Sequence, residues 1–312
     1  VLCSFAHVSE KLGYVKPVVD DSMEISIIKG RHPVIEQSIN NGLFISNDTY
    51  LNDSDSSMLL ITGPNMAGKS TYMRQTALLV LMAQAGCFIP CEKAHIGVVD
   101  RIFTRIGASD NLAQGQSTFY VEMSELSYIL NSAGPRSLII LDEIGRGTST
   151  YDGLSIAWAA AEYLCNEHTH IRTLFATHYH ELTILENQVR GVKNLNVDVA
   201  EEDGNIIFLH KIVAGSASRS YGIHVAKLAG IPESLLDRAR EKLSELENSC
   251  KDTLHAGEGI EDSGHNNKEV QLSMFTPVFE NPVIEKLKST DLMDITPSQA
   301  IKILEELKGS LK

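Results

Sequence analysis

The residues with the clearest chemical potential form a glycine-rich loop at 63–70, Gly-Pro-Asn-Met-Ala-Gly-Lys-Ser. An apolar run at 59–62 precedes it and is typical of a short buried strand, and the residues that follow predict a helix from Lys69 to about Ala85. The glycines allow the backbone to turn its N–H groups toward an anion, and the helix N-terminus adds its dipole. The loop is therefore predicted to bind phosphate, with Lys69 reaching the β- and γ-phosphates and the Ser70 hydroxyl ligating Mg²⁺.

Two carboxylates, Asp142 and Glu143, follow a second apolar run at 138–141. Because the carboxyl ends of parallel strands meet at one edge of a sheet, this pair is expected to face the phosphate loop. Asp142 would hold Mg²⁺ directly or through water, and Glu143 would orient or deprotonate the attacking water. A solvated strand end is the alternative, and it would be the commoner explanation if the phosphate loop were absent.

A histidine, His178, stands at the end of a third predicted strand at 173–177. A histidine in this position can contact a γ-phosphate and respond to its loss. The alternative is a structural histidine whose ring nitrogens are satisfied within the protein. The neighbouring phosphate loop favours the first interpretation.

Strands and helices alternate along most of the chain, which is typical of an α/β domain with a largely parallel sheet. A turn is predicted at 40–42 and a polar loop at 109–116. The remaining predicted strands lie at 24–28, 43–51 and 98–107, and a hairpin is formed by Val-Lys-Asn-Leu-Asn-Val-Asp-Val and Asn-Ile-Ile-Phe-Leu-His-Lys-Ile-Val. The remaining predicted helices lie at 1–13, 118–131, 154–166, 222–229 and 233–247.

The composition changes after Cys250, where only four of the 21 residues at 251–271 are apolar. Such a segment cannot bury a core and is predicted to be a linker. Two short helices are predicted beyond it, at 281–288 and 297–308, and their apolar faces favour self-association. The resulting domain prediction is an upstream helix end, a main α/β domain, a flexible linker and a small helical oligomerisation domain, at 1–19, 20–248, 249–280 and 281–312.

Composition limits the classes of protein to which this chain can belong. The 312 residues carry a net charge of −13, so the chain is a poor nucleic-acid binder by itself. Five scattered cysteines argue against a secreted disulfide framework, and Cys87 and Cys91 lack a second pair to complete a zinc site. No stretch is long and apolar enough for a membrane span. The first residues resemble no signal peptide and do not begin with Met, so the chain is expected to start within a longer protein.

Four motifs resemble the ATPase domain of the MutS family of DNA mismatch repair proteins. They are GPNMAGKST from Gly63, STFYVEMSE at 117–125, LDEIGRGTSTYDG at 141–153 and FATHYHEL at 175–182. The resemblance covers essentially the whole chain, with Val-Leu-Cys-Ser-Phe-Ala at its start similar to the end of the family's lever helix. It implies a P-loop NTPase of the ABC-ATPase type that binds ATP or ADP with Mg²⁺ and hydrolyses ATP to switch a dimeric DNA clamp.

The resemblance also implies roles for individual residues. Ser70 and Asp142 would form the Mg²⁺ side, Glu143 would be the hydrolytic carboxylate and His178 the γ-phosphate sensor. The residues expected to bind phosphate are those of the whole loop: Gly63, Pro64, Asn65, Met66, Ala67, Gly68, Lys69, Ser70 and Thr71.

Two further positions match the family's adenine site, and one matches its inter-subunit site. Phe44 would stack on the base and His210 would lie on its other side, although an aromatic residue in a strand is more often part of a core. Ser117 would meet the γ-phosphate bound by the partner subunit. From the residues alone, Ser117 is better explained as a helix cap.

The implied partners are those of the family. The helices at 222–248 would form a helix-turn-helix that packs on a second subunit, and the terminal helices would join dimers into tetramers. Mismatched DNA would be held by upstream domains that this chain lacks, and MutL would be a further partner. The implied location is cytoplasmic and nucleoid-associated, with no membrane. A sliding clamp would bind a tail peptide at Gln271, Leu272, Met274 and Phe275.

Three other functions compete with this interpretation. A transporter nucleotide-binding subunit would carry an LSGGQ-type signature where this chain has STFYVEMSE. A MutS-like paralogue acting outside mismatch repair would not require the tail peptide and terminal helices. A decayed ATPase serving assembly only is disfavoured because every catalytic position is present.

Overall fold

The computed structural model describes residues 1–39, 43–64, 67–107, 117–166, 170–202, 205–216 and 221–255. The predicted turn at 40–42, the polar loop at 109–116, the tail peptide and the two terminal helices lie outside these residues. The chain divides into two units, Val1–Leu236 and Asp237–Lys312. In the described residues, no helix combines the length and apolar character that crossing a membrane requires.

Helices and strands alternate along most of the described chain, and the last helix continues into the second unit. The helices are α1 (Leu2–Leu12), α2 (Ile35–Ser38), α3 (Lys69–Gln84), α4 (Thr118–Ser132), α5 (Thr150–Leu164), α6 (Leu185–Gln188), α7 (Gly222–Leu228) and α8 (Glu233–His255). A short 3₁₀ turn spans His180–Ile184. The strands are β1 (Val18–Asp20), β2 (Ile25–Gly30), β3 (Asn47–Leu51), β4 (Met58–Thr62), β5 (Lys93–Gly97), β6 (Ile102–Arg105), β7 (Leu138–Asp142), β8 (Arg172–Ala176), β9 (Val192–Glu202) and β10 (Asn205–Ala214).

The larger sheet has six strands in the order β10-β9-β4-β8-β7-β6. All neighbours are parallel except β10, which pairs antiparallel with β9. The prediction of an α/β domain with a largely parallel sheet is confirmed. The register pairs Ala176 of β8 with both Ile61 and Asp142, so β4, β7 and β8 end at the same edge. This edge therefore collects the loop at 63–68, the acidic pair and His178.

The smaller sheet has four strands in the order β1-β5-β2-β3. Its strand β5 was not predicted, because Lys93–Gly97 is short and is interrupted by two titratable side chains, Lys93 and His95. Conversely, the strand expected at 98–107 covers Ile102–Arg105 only. The strand expected at 43–51 likewise begins at Asn47, where β3 starts to pair with β2.

Apolar residues cover both faces of the six-stranded sheet. Along β4, Leu59 and Ile61 belong to the core shared with α3, whereas Met58 and Leu60 belong to the core shared with α4 and α5. This alternation follows from the two-residue period of a strand. The first core also contains Ile25 and Ile27 from the four-stranded sheet, so α3 is held between two sheets and its N-terminus is fixed.

Helices α5 and α8 differ most from the predicted bounds. Helix α5 starts at Thr150 rather than at 154, because the Ser149 hydroxyl caps it by accepting a hydrogen bond from the Asp152 N–H. Helix α8 continues to His255, past the end predicted at 247. In its second-unit part, ion pairs spaced three residues apart join Arg238 to Glu241 and Lys242 to Glu245.

Candidate functional site

The loop between β4 and α3 depends on its glycines. Gly63 has φ 126° and Gly68 has φ 108°, backbone angles that residues with a Cβ rarely adopt. Gly68 directly precedes the first residue of α3, so the backbone turns just before the helix N-terminus. Asn65 and Met66 lie outside the described residues.

Lys69 is buried and occupies the mouth of this loop. Its ammonium donates hydrogen bonds to the carbonyls of Gly63, at 2.5 Å, and Pro64, at 3.1 Å. Burial lowers the pKa of Lys69, whereas the nearby carboxylates of Glu143 and Asp142 raise it. A buried cation is therefore held beside two acidic side chains and under the loop that would carry an anion.

The end of β7 brings Asp142 into hydrogen-bonding contact with the Ser70 side chain. Burial raises the pKa of Asp142 above its usual value, and the hydrogen bond with Ser70 offsets only part of this rise. The two side chains provide a carboxylate and a hydroxyl oxygen, the hard ligands that Mg²⁺ prefers.

Glu143 has a left-handed backbone, with φ 55°, which is unusual for a residue other than glycine. Its N–H donates to the Ala176 carbonyl at 2.9 Å, which fixes the turn after β7 against β8. Its carboxylate accepts a hydrogen bond of 2.5 Å from Arg146 and is 15% exposed. The strained turn therefore directs a mostly buried carboxylate toward the mouth of the loop.

His178 follows β8 at the same edge. The N–H of Thr177 donates to the Ile61 carbonyl, so the end of β8 is tied to β4 beside the loop. The imidazole lies against the Tyr179 ring with centroids 4.0 Å apart. Burial lowers the pKa of His178, an effect that the Glu143 carboxylate opposes, so the imidazole is mainly neutral at pH 7.

A cleft of about 370 Å³ joins several of the predicted residues. Residues of the glycine-rich loop and the start of α3 lie at one end, and apolar side chains of α2 and of the segment before β3 line the other. The predicted residues on its walls are Phe44, Pro64, Gly68, Lys69, Ser70, Thr71, Glu143 and His210. Asp142, His178 and Ser117 do not line the cleft, although Asp142 is hydrogen-bonded to Ser70, which does.

Asn47 positions His210, and the sequence did not indicate this role. The ladder between β10 and β9 is irregular between Phe208 and Ile212, and His210 within it has φ 52°. Asn47 spans the irregularity, because its amide donates to the His210 carbonyl at 3.0 Å and accepts from the Ile212 N–H at 2.7 Å. The imidazole Nδ1 then donates to the Ala67 carbonyl at 3.0 Å.

Ser117 immediately precedes the first residue of α4 and is exposed. In the described part of the chain, its hydroxyl makes no capping hydrogen bond to α4. The first turn of α4 therefore presents its N–H groups and this hydroxyl at the surface.

The chain is similar to known proteins along its whole length. The family model for MutS domain V matches residues 59–247. Over 312 residues, all of this chain, it is 56% identical to the DNA mismatch repair protein MutS of Caldicellulosiruptor bescii and covers 36% of that protein. It is 52% identical over 315 residues to the DNA mismatch repair protein MutS of Alkaliphilus metalliredigens, covering 99% of this chain and 36% of that relative. The chain belongs to the MutS family.

Membership in the MutS family confirms the resemblance derived from the motifs. The MutS domain V match begins within β4 and ends within α8, so it includes the phosphate loop, the acidic pair, His178 and His210. Phe44 precedes the matched region. The chain spans about a third of the length of the curated MutS relatives it matches.

Proposed function

We propose that this chain binds ATP with Mg²⁺ and hydrolyses it, and that it is the ATPase and dimerisation part of a DNA mismatch repair clamp. The observation that carries the proposal is the cleft in which Lys69, Ser70 and Glu143 face Phe44 and His210. A phosphate-binding end and an aromatic end within one cleft are the two halves that a nucleotide requires.

Phosphate binding would use the loop backbone and Lys69. The Lys69 ammonium bonds to two loop carbonyls, and a phosphate oxygen would replace those partners with a charge-assisted hydrogen bond. The N-terminus of α3 would stabilise the same negative charge through its dipole.

The Mg²⁺ ion would be held by Ser70 and Asp142. The hydrogen bond between these side chains shows that their oxygens reach each other, and both are hard donors, so the residues fit the ion. When bound, Mg²⁺ neutralises charge on the phosphate oxygens. Asp142 must be deprotonated to act as a ligand. Burial raises its pKa, the hydrogen bond with Ser70 only partly offsets this rise, and a bound cation would favour the deprotonated carboxylate.

Hydrolysis would depend on Glu143 and His178. Glu143 would orient the attacking water or accept its proton. Its pairing with Arg146 holds the carboxylate in one position, and the left-handed backbone of Glu143 adds to that restraint. The neutral imidazole of His178 would donate a hydrogen bond to the γ-phosphate and lose this partner after hydrolysis.

Changing Lys69 to Met is expected to weaken binding of a fluorescent ATP analogue roughly 10- to 100-fold, because a hydrogen bond to a charged group is lost. The matched control is Lys29→Met, which removes an exposed lysine that pairs with Glu92. Equal affinity of Lys69→Met and the unmodified chain in a titration would contradict phosphate binding by this loop.

Changing Phe44 to Ala is expected to weaken ATP binding roughly 10-fold, because stacking on a base is lost. Tripolyphosphate, which has no base, should bind the Phe44→Ala chain as it binds the unmodified chain. The control is Tyr50→Ala, which removes a half-exposed aromatic residue of β3 that does not line the cleft. A matching loss of tripolyphosphate affinity would place Phe44 in a structural role instead.

Dimerisation would use the surface around α7 and the start of α8. Leu228, Ile231 and Leu235 are large apolar residues that are 63%, 38% and 56% exposed. A cluster of exposed apolar residues favours a protein partner, and a second copy of the chain is the proposed one. The helix-turn-helix interpretation of 222–248 is part of this proposal.

The remaining partners are proposed from family membership. The relatives named above carry the mismatch repair name and align over 99% or more of this chain, including its tail, which disfavours the alternative paralogue function. We accordingly propose tetramer formation through 281–312, binding of a sliding clamp by the peptide at 271–275, contact with MutL, and mismatched DNA held by parts of the whole protein outside this chain. A cytoplasmic, nucleoid-associated location belongs to the same proposal.

A further inference from the structure

A buried carboxylate on α4, Glu122, has no part in the nucleotide site described above. Glu122 is only 5% exposed, and its Oε1 accepts a hydrogen bond of 2.6 Å from the Gly145 N–H. Gly145 lies in the loop after β7, two residues beyond Glu143. The carboxylate therefore joins α4 to the loop that carries the proposed hydrolytic residue.

The other backbone polar group of Gly145 is also bound by a buried side chain. The Tyr179 hydroxyl donates to the Gly145 carbonyl at 3.0 Å, and Tyr179 is 4% exposed. Gly145 has φ 89°, and a Cβ there would lie 2.5 Å from the Gly153 carbonyl oxygen. The loop is thus fixed at one residue by α4, by α5 and by the segment after β8.

The position of Gly145 gives this contact a chemical consequence. Its neighbour Arg146 pairs with the Glu143 carboxylate, so a rotation at Gly145 would shift both members of that pair. Tyr179 follows His178, and the two rings are in contact. Ser117 stands five residues before Glu122, at the start of the same helix.

Neutralising Arg105 is the simpler explanation for a buried glutamate, and the distances argue against it. Arg105 lies 3.7 Å from Glu122 but 3.0 Å from Glu125, so Glu125 is its closer partner. The shorter contact of Glu122 is the one to Gly145. A carboxylate forms a stronger hydrogen bond with an N–H than a neutral acceptor does, which suits a contact that must hold a loop.

We propose that Glu122 and Tyr179 clamp Gly145, positioning Glu143 and Arg146 for hydrolysis and coupling the loop to any movement of the Ser117 end of α4. Both are positioning residues, since neither lines the cleft. The proposal rests on the proposed ATPase function. It adds a route within one subunit from the surface where a partner's nucleotide would bind to that subunit's own hydrolytic residue.

The test compares four variants of the full chain, Glu122→Ala, Glu122→Gln, Tyr179→Phe and the Glu122→Ala/Tyr179→Phe double variant. Glu122→Ala and Tyr179→Phe should each lower kcat roughly 10-fold, as expected for a lost buried hydrogen bond, with unchanged affinity for a fluorescent ATP analogue. Glu122→Gln keeps an acceptor oxygen and should retain most of kcat. The double variant should be slower than the slower single variant by less than the product of the two effects, because both changes weaken the hold on the same residue.

The matched control is Glu125→Ala, which removes the half-exposed carboxylate that also pairs with Arg105 on the same helix. It should leave kcat unchanged if the link to Gly145 is what matters. Equal losses in Glu125→Ala and Glu122→Ala would overturn the proposal in favour of Arg105 neutralisation. Unchanged kcat in Tyr179→Phe, which removes a single oxygen atom, would also overturn it, even if Glu122→Ala failed to fold.

Hydrogen–deuterium exchange of nucleotide-free chains separates this proposal from the ATPase function itself. Exchange at 143–147 should be faster in Glu122→Ala and Tyr179→Phe than in the unmodified chain and Glu125→Ala, because Gly145 loses its restraints. Exchange equal to that of the unmodified chain would refute the clamp whatever the turnover. If the unmodified chain failed to hydrolyse ATP, the proposed function would be wrong, and the exchange result would still decide whether the clamp exists.

Discussion

Changing Glu143 to Gln is expected to slow ATP hydrolysis by roughly 100-fold or more, since general base catalysis contributes about 10²- to 10⁴-fold. The carboxylate oxygen that would orient or deprotonate water is replaced by an amide of the same shape. Lys69, Ser70 and Asp142 stay in place, so ATP should bind with unchanged affinity. Phosphate release and a binding titration with a fluorescent ATP analogue measure the two quantities separately.

The pairing with Arg146 makes this substitution conservative. A glutamine oxygen still accepts a hydrogen bond from Arg146, and glutamine has no β-branch to worsen the left-handed φ of 55° at this position. The control is Glu186→Gln in α6, which removes a carboxylate that does not line the cleft. Full turnover in Glu143→Gln would contradict the assignment of Glu143 as the hydrolytic residue.

Two slow variants are expected to restore activity to each other when they are mixed. Suppose that Ser117 completes the partner subunit's site, and that one Ser117→Ala chain pairs with one Glu143→Gln chain. One site of this dimer then has both the Ser117 hydroxyl and the Glu143 carboxylate, and the other site has neither. Random pairing at equal amounts makes about half of the dimers mixed, so the mixture should reach roughly a quarter of the unmodified activity. Each variant alone should remain slow, and ADP binding should be nearly unchanged in Ser117→Ala.

Two further measurements serve as controls for the mixing experiment. The control is Ser124→Ala, which removes an exposed hydroxyl of the same helix away from its start. This variant should be active by itself, and mixing it with Glu143→Gln should not raise its activity further. Specific activity of the unmodified chain should rise with concentration until the dimer saturates, as mass action requires. Activity per subunit that is flat with concentration, together with no recovery on mixing, would leave Ser117 without a role in a shared site.

The sequence by itself predicted the glycine-rich end of the candidate site, which we propose binds phosphate. The loop at 63–68 lies between an apolar strand and a helix, and the glycines at both of its ends adopt the positive φ values that the motif requires. Asp142, Glu143 and His178 were proposed from the sequence because each lies at, or within two residues beyond, the end of an apolar strand of the parallel sheet. These features depend on residues close together along the chain, which is why a local pattern could predict them.

The end of the cleft that we propose binds the base, and the contacts that hold the loop after β7, were decided by the tertiary structure. His210 takes its left-handed backbone at an irregularity of β10 that is bridged by Asn47, a residue 163 positions earlier. Gly145 is held by Glu122 from α4 and by Tyr179 from beyond β8. No spacing along the chain predicts that these two side chains bind the same glycine. Such contacts form only after the strands have assembled, since packing of distant segments, rather than local propensity, brings their donors and acceptors together.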